Sequence, residues 1–332
     1  QTKMRYIERL APKEKIGGSE IQCWLIAKYL ALRGHQTIYT ALKTFSDKTQ
    51  ENIDGINVCY LSHKKDNKLR TLVNFYKFLK KERPDICYIR FFRYLFFLAK
   101  ICYLLKIPIV FNTSHVNDCK PDLEKVKFCF NPFKFLQSIR IVIQRRLNFS
   151  ILKRVEVITI NKYHAKLLKD KYNIDATPIY NSMEDNYRKN QAEKQKQIVW
   201  VNNIKERKRP ELFIKLADEF KGDSYKFLMI GNLQNNIDYY KNLIKKCEDA
   251  NTNFDYLGGR TPEEVDKILA ESQIMVNTCE PEGFGNNFIQ AWFNECPTIT
   301  LNFDPDDIIE TNKIGFLSRN FEQMVKDLRT LM

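Results

Sequence analysis

The stretch "IVWVNNIKERKRPELFIKLA" (Ile198–Ala217) decides the fold. Its first six residues, Ile198–Asn203, open on an apolar run rich in β-branched and aromatic side chains, as a buried strand requires. Lys205, Arg207, Lys208 and Arg209 then crowd a short loop. Pro210 fits the first position of a helix that runs to Phe220, because its missing N–H costs nothing there. A strand that leads through a basic loop into a helix is the unit of an α/β sheet. The loop lies at the carboxyl end of the strand, where such sheets bind ligands. Its cations could hold a diphosphate, or could simply be solvated.

The same unit recurs on both sides. Upstream, strands are expected at Met4–Leu10, Gln36–Thr40, Ile56–Leu61, Ile86–Phe91, Ile107–Asn112, Val155–Ile160 and Thr177–Asn181. The clearest upstream helix runs from Glu20 to Arg33, with Cys23, Trp24, Ala27, Leu30 and Ala31 at helical spacing and a stop at Gly34. Downstream, strands are expected at Tyr225–Gly231, Phe254–Gly258 and Ile274–Thr278. Helices are expected near Asp238–Glu248, over Pro262–Glu271 with Thr261 as N-cap, and from about Asn287. Between the halves, "SMEDNYRKNQAEKQKQ" (Ser182–Gln197) is polar and nearly free of aliphatic residues, so it reads as a linker. The expected organisation is α/β: two Rossmann-like domains with doubly wound parallel sheets, 1–181 and 198–332, joined by 182–197 and facing a cleft.

Composition agrees with two soluble domains and points to an anionic partner. The chain has 332 residues, 44% of them hydrophobic, and a formal net charge of +14. That balance suits a phosphorylated small molecule, an anionic membrane or a nucleic acid. None of the nine cysteines forms a C-x-x-C pair or a zinc-like cluster with histidine, so no metal site is expected. They read as buried free thiols of a reducing compartment. No signal peptide is expected at "QTKMRYIERL", and Phe91–Phe111, broken by Arg93, Lys100 and Lys106, falls short of a membrane span.

Two further stretches carry candidate chemistry. "GGSE" (Gly17–Glu20) puts two glycines before a helix start, where free N–H groups can meet an anion. The bland reading is a tight turn with Ser19 as N-cap. "EPEGFGNNFIQAW" (Glu280–Trp292) leads from a strand into a helix and places Glu282 and Gln290 eight residues apart. Gly283 and Gly285 free the backbone between them. A ligand with phosphates and many hydroxyls fits this set; the bland reading is a capped helix start.

These stretches together resemble the retaining glycosyltransferases of the GT-B fold, the group 1 and family 4 type that includes many bacterial polysaccharide enzymes. "GGSEIQCWLIAKYLALRGHQTIYT" resembles the family's N-terminal Gly-Gly-x-Glu segment. "PDICYIRF" and "IPIVFNTSHVND" resemble its later N-domain strands. "PIYNSMED" resembles its interdomain crossing, and "EPEGFGNNFIQAWFNECPTIT" its donor motif of two glutamates with seven residues between them. "FDPDDIIETNKIGF" (Phe303–Phe316) resembles the segment beyond.

The resemblance implies site residues. Glu282 would contact the donor sugar, and the backbone at Gly283, Phe284, Gly285 and Asn286 would lie near the sugar or diphosphate. Gln290 stands where the family has its second glutamate, on the ribose. Asn203 stands in the position of a family arginine and Lys208 in that of its lysine. Gly17 and Gly18 join the donor set, and His115 falls near the reacting face of the sugar. Glu282, His115 and Lys208 are the catalytic candidates. The implied substrate is a UDP- or GDP-sugar, used without a metal or other cofactor. The acceptor would be a glycan or a lipid-linked saccharide. The resemblance also implies helices beyond "FEQMVKDLRTLM" (Phe321–Met332), so a shortened C-terminal domain is an expectation. A nucleotide-sugar epimerase of the same fold and a non-catalytic nucleotide-sugar-binding relative remain alternatives.

From Lys125 to Arg154 there is no acid, but eight Lys or Arg interleave with Phe128, Phe130, Phe133, Phe135, Leu136, Ile139, Ile143 and Leu147. Such a helix could lie on an anionic membrane, as suits a cytoplasmic enzyme at the inner face of the plasma membrane. It could equally be a core helix with a basic outer face. No nucleic-acid motif accompanies it, and no nucleic-acid partner is expected.

Overall fold

In the computed structural model the described residues are 4–7, 18–42, 49–61, 68–90, 92–121, 132–184, 192–234, 236–280 and 283–332. The chain divides into two compact units, Gln1–Asn181 and Ser182–Met332.

The first unit carries β1 (Met4–Ile7), α1 (Gly18–Leu32), β2 (Thr37–Leu42), β3 (Gln50–Ile53), β4 (Ile56–Leu61) and α2 (Lys68–Glu82). It continues with β5 (Cys87–Ile89), α3 (Leu95–Leu104), β6 (Ile109–Asn112), α4 (Pro132–Ile151), β7 (Glu156–Thr159), α5 (Lys162–Tyr172) and β8 (Thr177–Pro178). Two four-stranded sheets form, in the orders β1-β2-β4-β3 and β5-β6-β7-β8. They meet where β1 lies against β5, and Tyr88 of β5 is buried with Tyr39, Val58 and Tyr60 of the first sheet. Among the described residues only β3 is antiparallel. It was not expected from the sequence, because its alternately exposed residues make it a polar edge. It is joined to β4 by Asp54 and Gly55, both at positive φ (53° and 80°), the backbone of a two-residue hairpin turn.

Helix α1 begins at Gly18, so Ser19 lies within its first turn rather than capping it. The helix stops as expected: Gly34, at φ 85°, donates to the Ala31 carbonyl, and His35 donates to that of Leu30.

The second unit carries β9 (Gln195–Val201), α6 (Pro210–Glu219), β10 (Lys226–Ile230), α7 (Ile237–Ala250) and β11 (Phe254–Gly258). Then follow α8 (Pro262–Glu271), β12 (Ser272–Asn277), α9 (Asn286–Phe293), β13 (Thr298–Thr300), α10 (Ile308–Asn312), β14 (Gly315–Leu317) and α11 (Phe321–Leu331). One six-stranded sheet forms in the order β11-β10-β9-β12-β13-β14, and every pairing is parallel. Both faces are covered. Ile198 and Trp200 of β9 join one core with Phe213, Phe227 and Phe254, while Val199 joins the other with Leu228, Met275 and Phe288. Such a strand must be apolar at every position, which is why "IVWV" shows no alternation.

The expected linker ends earlier than Gln197. Strand β9 starts at Gln195, because Gln195 pairs with Ser272 and Gln197 with Lys226. Lys194 is anchored as well: its ammonium donates to the carbonyl oxygens of Leu269 (3.2 Å), Ser272 (2.8 Å) and Asn294 (2.8 Å). These close the C-termini of α8 and α9, where a cation meets the negative ends of both helices.

Counting the second unit's strands in chain order, the order across its sheet is 3-2-1-4-5-6. The direction of winding reverses between β9 and β12. The crevice for a ligand therefore opens beyond Val201 and Asn277.

Candidate functional site

Beyond β9 the chain runs through Asn202 and Asn203 into the basic loop. Gly231, at the exit of β10, has φ 150°, and a Cβ there would sit 1.7 Å from the Asn202 carbonyl oxygen. Only glycine lets the two strand exits come so close. Asn203 is half-buried. Its neighbour Ile204 is pinned, its N–H donating to the Asn232 carbonyl (2.8 Å) and its carbonyl accepting from Gln234 (3.1 Å).

The basic loop makes one 3-10 turn over Glu206–Lys208 and leaves it through Arg209 at φ 48°, directly before Pro210 of α6. What fixes it is the exit of β12. Trp200 Nε1 donates to Thr278 Oγ1 at 2.9 Å. The Thr278 hydroxyl in turn shares its proton between the carbonyl oxygens of Lys208 and Arg209, each 2.9 Å away. Thr278 and Trp200 are fully buried. One residue further, Glu280 N–H donates to the Arg207 carbonyl at 3.0 Å. The loop after β9 and the loop after β12 are thus one hydrogen-bonded assembly. A strand core, not solvent, sets the position of the Lys208 backbone.

Helix α9 starts at Asn286, with Gly285 as N-cap and no side-chain cap. Its first N–H groups and its positive dipole end are the natural seat of an anion. Asn287 ties this helix start to β9 by donating to the Val201 carbonyl at 3.0 Å. A side chain at Gly285 would crowd Asn287, since a Cβ would stand 2.5 Å from its Oδ1. Phe284 is buried edge-on against Trp292, 6.2 Å between ring centroids. Gln290 lies on α9 and donates from Nε2 to Asp266 Oδ1 of α8 at 3.1 Å. Asp266 is itself buried. Helix α8 begins as its sequence predicts, with Thr261 as N-cap; the structure adds a reciprocal capping box with Glu264, and the Thr261 backbone N–H lowers the Glu264 pKa.

The structure therefore gathers Asn203, Lys208, Gly283, Phe284, Gly285, Asn286 and Gln290 at one edge of the second unit's sheet. Glu282 and Gly17 lie outside the described residues. Gly18 is the exposed first residue of α1 in the first unit.

His115 also belongs to the first unit. It follows β6 and caps the 3-10 turn Val116–Cys119. Its Nδ1 accepts from the Asn117 N–H at 3.0 Å, so the neutral ring carries its proton on Nε2. Asp118 Oδ2 holds the turn by accepting from Ser114 N (2.9 Å), Ser114 Oγ (3.2 Å) and His115 N (3.0 Å). Burial nevertheless pushes the Asp118 carboxyl above its ordinary range. From α4, Arg145 donates to the Asn117 carbonyl and, at 2.6 Å, to that of Lys120. Sequence reasoning found His115 but missed this support, which depends on a helix 25 to 28 residues away. Thr278 and Asn287 were missed for the same reason.

Known proteins give the assembly a family. The description "Glycosyltransferase Family 4" matches residues 16–184, and "Glycosyl transferases group 1" matches 182–332. The chain belongs to glycosyltransferase family 4. This family 4 chain is a transferase enzyme, and its fold recurs in solved GT-B glycosyltransferases. Sucrose-phosphate synthase from Thermosynechococcus elongatus is 12% identical, with a TM-score of 0.72 over 100% of this chain and 90% of that one. Anabaena HepE, in complex with UDP and glucose, is 14% identical, with a TM-score of 0.64 over 100% and 94%. The lipopolysaccharide outer core galactosyltransferase WaaB is 11% identical, with a TM-score of 0.63 over 99% and 90%. No curated protein sequence gives a significant match.

Proposed function

We propose that this family 4 enzyme is a retaining glycosyltransferase that moves a sugar from a UDP- or GDP-sugar to a glycan or lipid-linked acceptor in surface polysaccharide synthesis. One observation carries the reading: Thr278 and Glu280 lock the basic loop after β9 onto the loop after β12 at the switch point. The complexes of HepE with UDP and UDP-glucose lend support through the shared fold, as does the activity in WaaB's name.

In this reading the diphosphate sits on the start of α9 and on Lys208. The sugar lies against Glu282 and the backbone of 283–286, and Asn203 lines the approach. Gln290 meets the ribose hydroxyls. His115, turned by Asp118, is the first unit's candidate for a hydrogen bond to substrate. The bond from the anomeric carbon to the phosphate oxygen breaks, and a bond to the acceptor oxygen forms on the same face. The acceptor's hydroxyl proton passes to the departing diphosphate. Lys208 and the helix-start N–H groups stabilise the charge that grows on that diphosphate. No metal takes part.

We further propose that the basic middle of the first unit binds an anionic membrane from the cytoplasmic side. Helix α4 buries Asn148 and Phe149, while Leu136, Ile139, Ile143 and Leu147 stay exposed along another face, with exposed Arg140 and Arg146 beside them. Residues 125–131 lie outside the described residues. Among the described residues, no helix is long and apolar enough to cross a membrane.

The test is incubation with UDP- and GDP-sugars and a saccharide acceptor, with the product's anomeric configuration read by NMR. The reading predicts the donor's configuration in the product and loss of transfer in Glu282→Gln. An inverted product would overturn retention. An epimer formed from the donor alone would replace transfer with epimerisation.

A further inference from the structure

Arg90 is the first residue after β5, at the carboxyl edge of the first unit's second sheet, and only 7% of its surface is exposed. A buried guanidinium normally sits against a carboxylate. Arg90 does not. Its Nη2 donates to the Asn181 amide oxygen at 2.8 Å, and it bonds the Tyr88 phenol. Both partners are neutral oxygens, because burial raises the Tyr88 pKa and keeps the phenol protonated. Arg90 Nε is buried with no hydrogen-bond partner among the described residues.

The neighbouring strand exits supply polarity without charge. Asn112, at the end of β6, donates to the Tyr88 hydroxyl at 2.7 Å, and its own Oδ1 is buried and unpartnered among the described residues. Thr113 follows it, fully buried, and Asn161 follows β7, also buried. The nearest acid in sequence after β6, Asp118, is committed to Ser114 and His115 and feels Arg145 as its cation.

We propose that Arg90 is the anchor of a binding site for a singly charged oxyanion, a carboxylate or a phosphodiester, carried by the acceptor substrate. The guanidinium supplies the charge and a donor fork. Asn112 Oδ1 accepts from a neighbouring hydroxyl of the same ligand. One arginine with neutral companions fits one negative charge, whereas a diphosphate needs more cations. Assigning the oxyanion to an acceptor rests on the transferase reading above; the anion site itself does not.

The experiment is calorimetric titration and thermal shift with sodium glucuronate, sodium dimethyl phosphate and glucose, at constant ionic strength, on the wild type, Arg90→Gln and Arg90→Lys. UDP and GDP are titrated into each in parallel. At least one anion should bind the wild type and raise its Tm, while glucose does neither. Arg90→Gln should weaken that anion by roughly tenfold or more. Arg90→Lys, which keeps the charge, reports on the fork if Arg90→Gln fails to fold, and should still lose most of the affinity. Glucuronate alone would assign an acidic sugar, and dimethyl phosphate alone a phosphodiester. Anions that bind no tighter than glucose, or bind the variants as well as the wild type, would overturn the proposal. Failure of both UDP and GDP to bind while the Arg90-dependent anion effect persists would remove the transferase reading and leave this site standing.

Discussion

Replacing Thr278 by valine should uncouple the basic loop from the sheet. The change is nearly isosteric, so packing is kept while the hydroxyl is lost. Trp200 Nε1–H, fully buried, then has no acceptor in place of Thr278 Oγ1 at 2.9 Å. A buried donor left unpaired costs about 1–3 kcal/mol. The shared bond to the Lys208 and Arg209 carbonyls adds roughly 1 kcal/mol net. The extra buried methyl returns about 1 kcal/mol. The balance is a loss of about 2 kcal/mol, which for a unit of this size lowers Tm by roughly 4–8 °C. Differential scanning calorimetry measures it, with Thr278→Ser as the control that keeps the hydroxyl. Thr278→Val should also weaken nucleotide binding more than Thr278→Ser does, because Lys208 loses its tether. A Tm within about 1 °C of the wild type would show that Thr278 does not hold the loop.

Lys194→Met should destabilise the protein at neutral pH by about 1–3 kcal/mol, since carbonyl oxygens at the ends of α8 and α9 lose a charged donor. Its pH dependence has a definite sign. Burial lowers the Lys194 pKa below 10.5 in the fold, so the unfolded chain binds that proton more tightly. Wild-type stability should therefore rise relative to Lys194→Met as pH climbs toward 10.5, and urea titrations at stepped pH read this difference. On the first unit, Ile143→Glu on the exposed stripe of α4 should reduce co-sedimentation with phosphatidylglycerol vesicles several-fold and leave Tm unchanged. Equal sedimentation of the two proteins would count against the membrane face.

Much of the fold was legible because the strands of a parallel sheet are short apolar runs, and four of the second unit's six, β9 to β12, are expected from such runs between helices with plain start signals; β13 and β14, three residues each, are not. Thr261 and Pro262 mark the start of α8 directly; the reciprocal bond from Glu264 is added by the structure. Strand β3 was missed because an exposed edge strand needs little apolar content; Asp54-Gly55 was the signal that would have found it. The linker was drawn too long because Gln195 and Gln197 are polar, yet ladder partners on β10 and β12 make them strand.

At the site, sequence order gave the residues that follow strands, since topology alone sends them to one edge. It did not give their supports. Thr278 reaches back 70 residues to Lys208, Asn287 reaches 86 to Val201, and Gln290 reaches 24 to Asp266. Such pairs exist only once the sheet is assembled. Arg90 was invisible as a site residue for a similar reason. In sequence it is one cation in an apolar run, and only its burial without an ion pair among the described residues singles it out.

The central claim is that a nucleoside diphosphate binds where β9 and β12 part, held by the start of α9 and by Lys208. Isothermal titration of UDP, GDP and ADP into the wild type and Lys208→Ala tests it most directly. The account predicts that at least one of these nucleotides binds the wild type and that Lys208→Ala weakens it roughly tenfold or more, the loss of one charged contact to phosphate. Absence of binding by all of them, or equal affinity in Lys208→Ala, would contradict it.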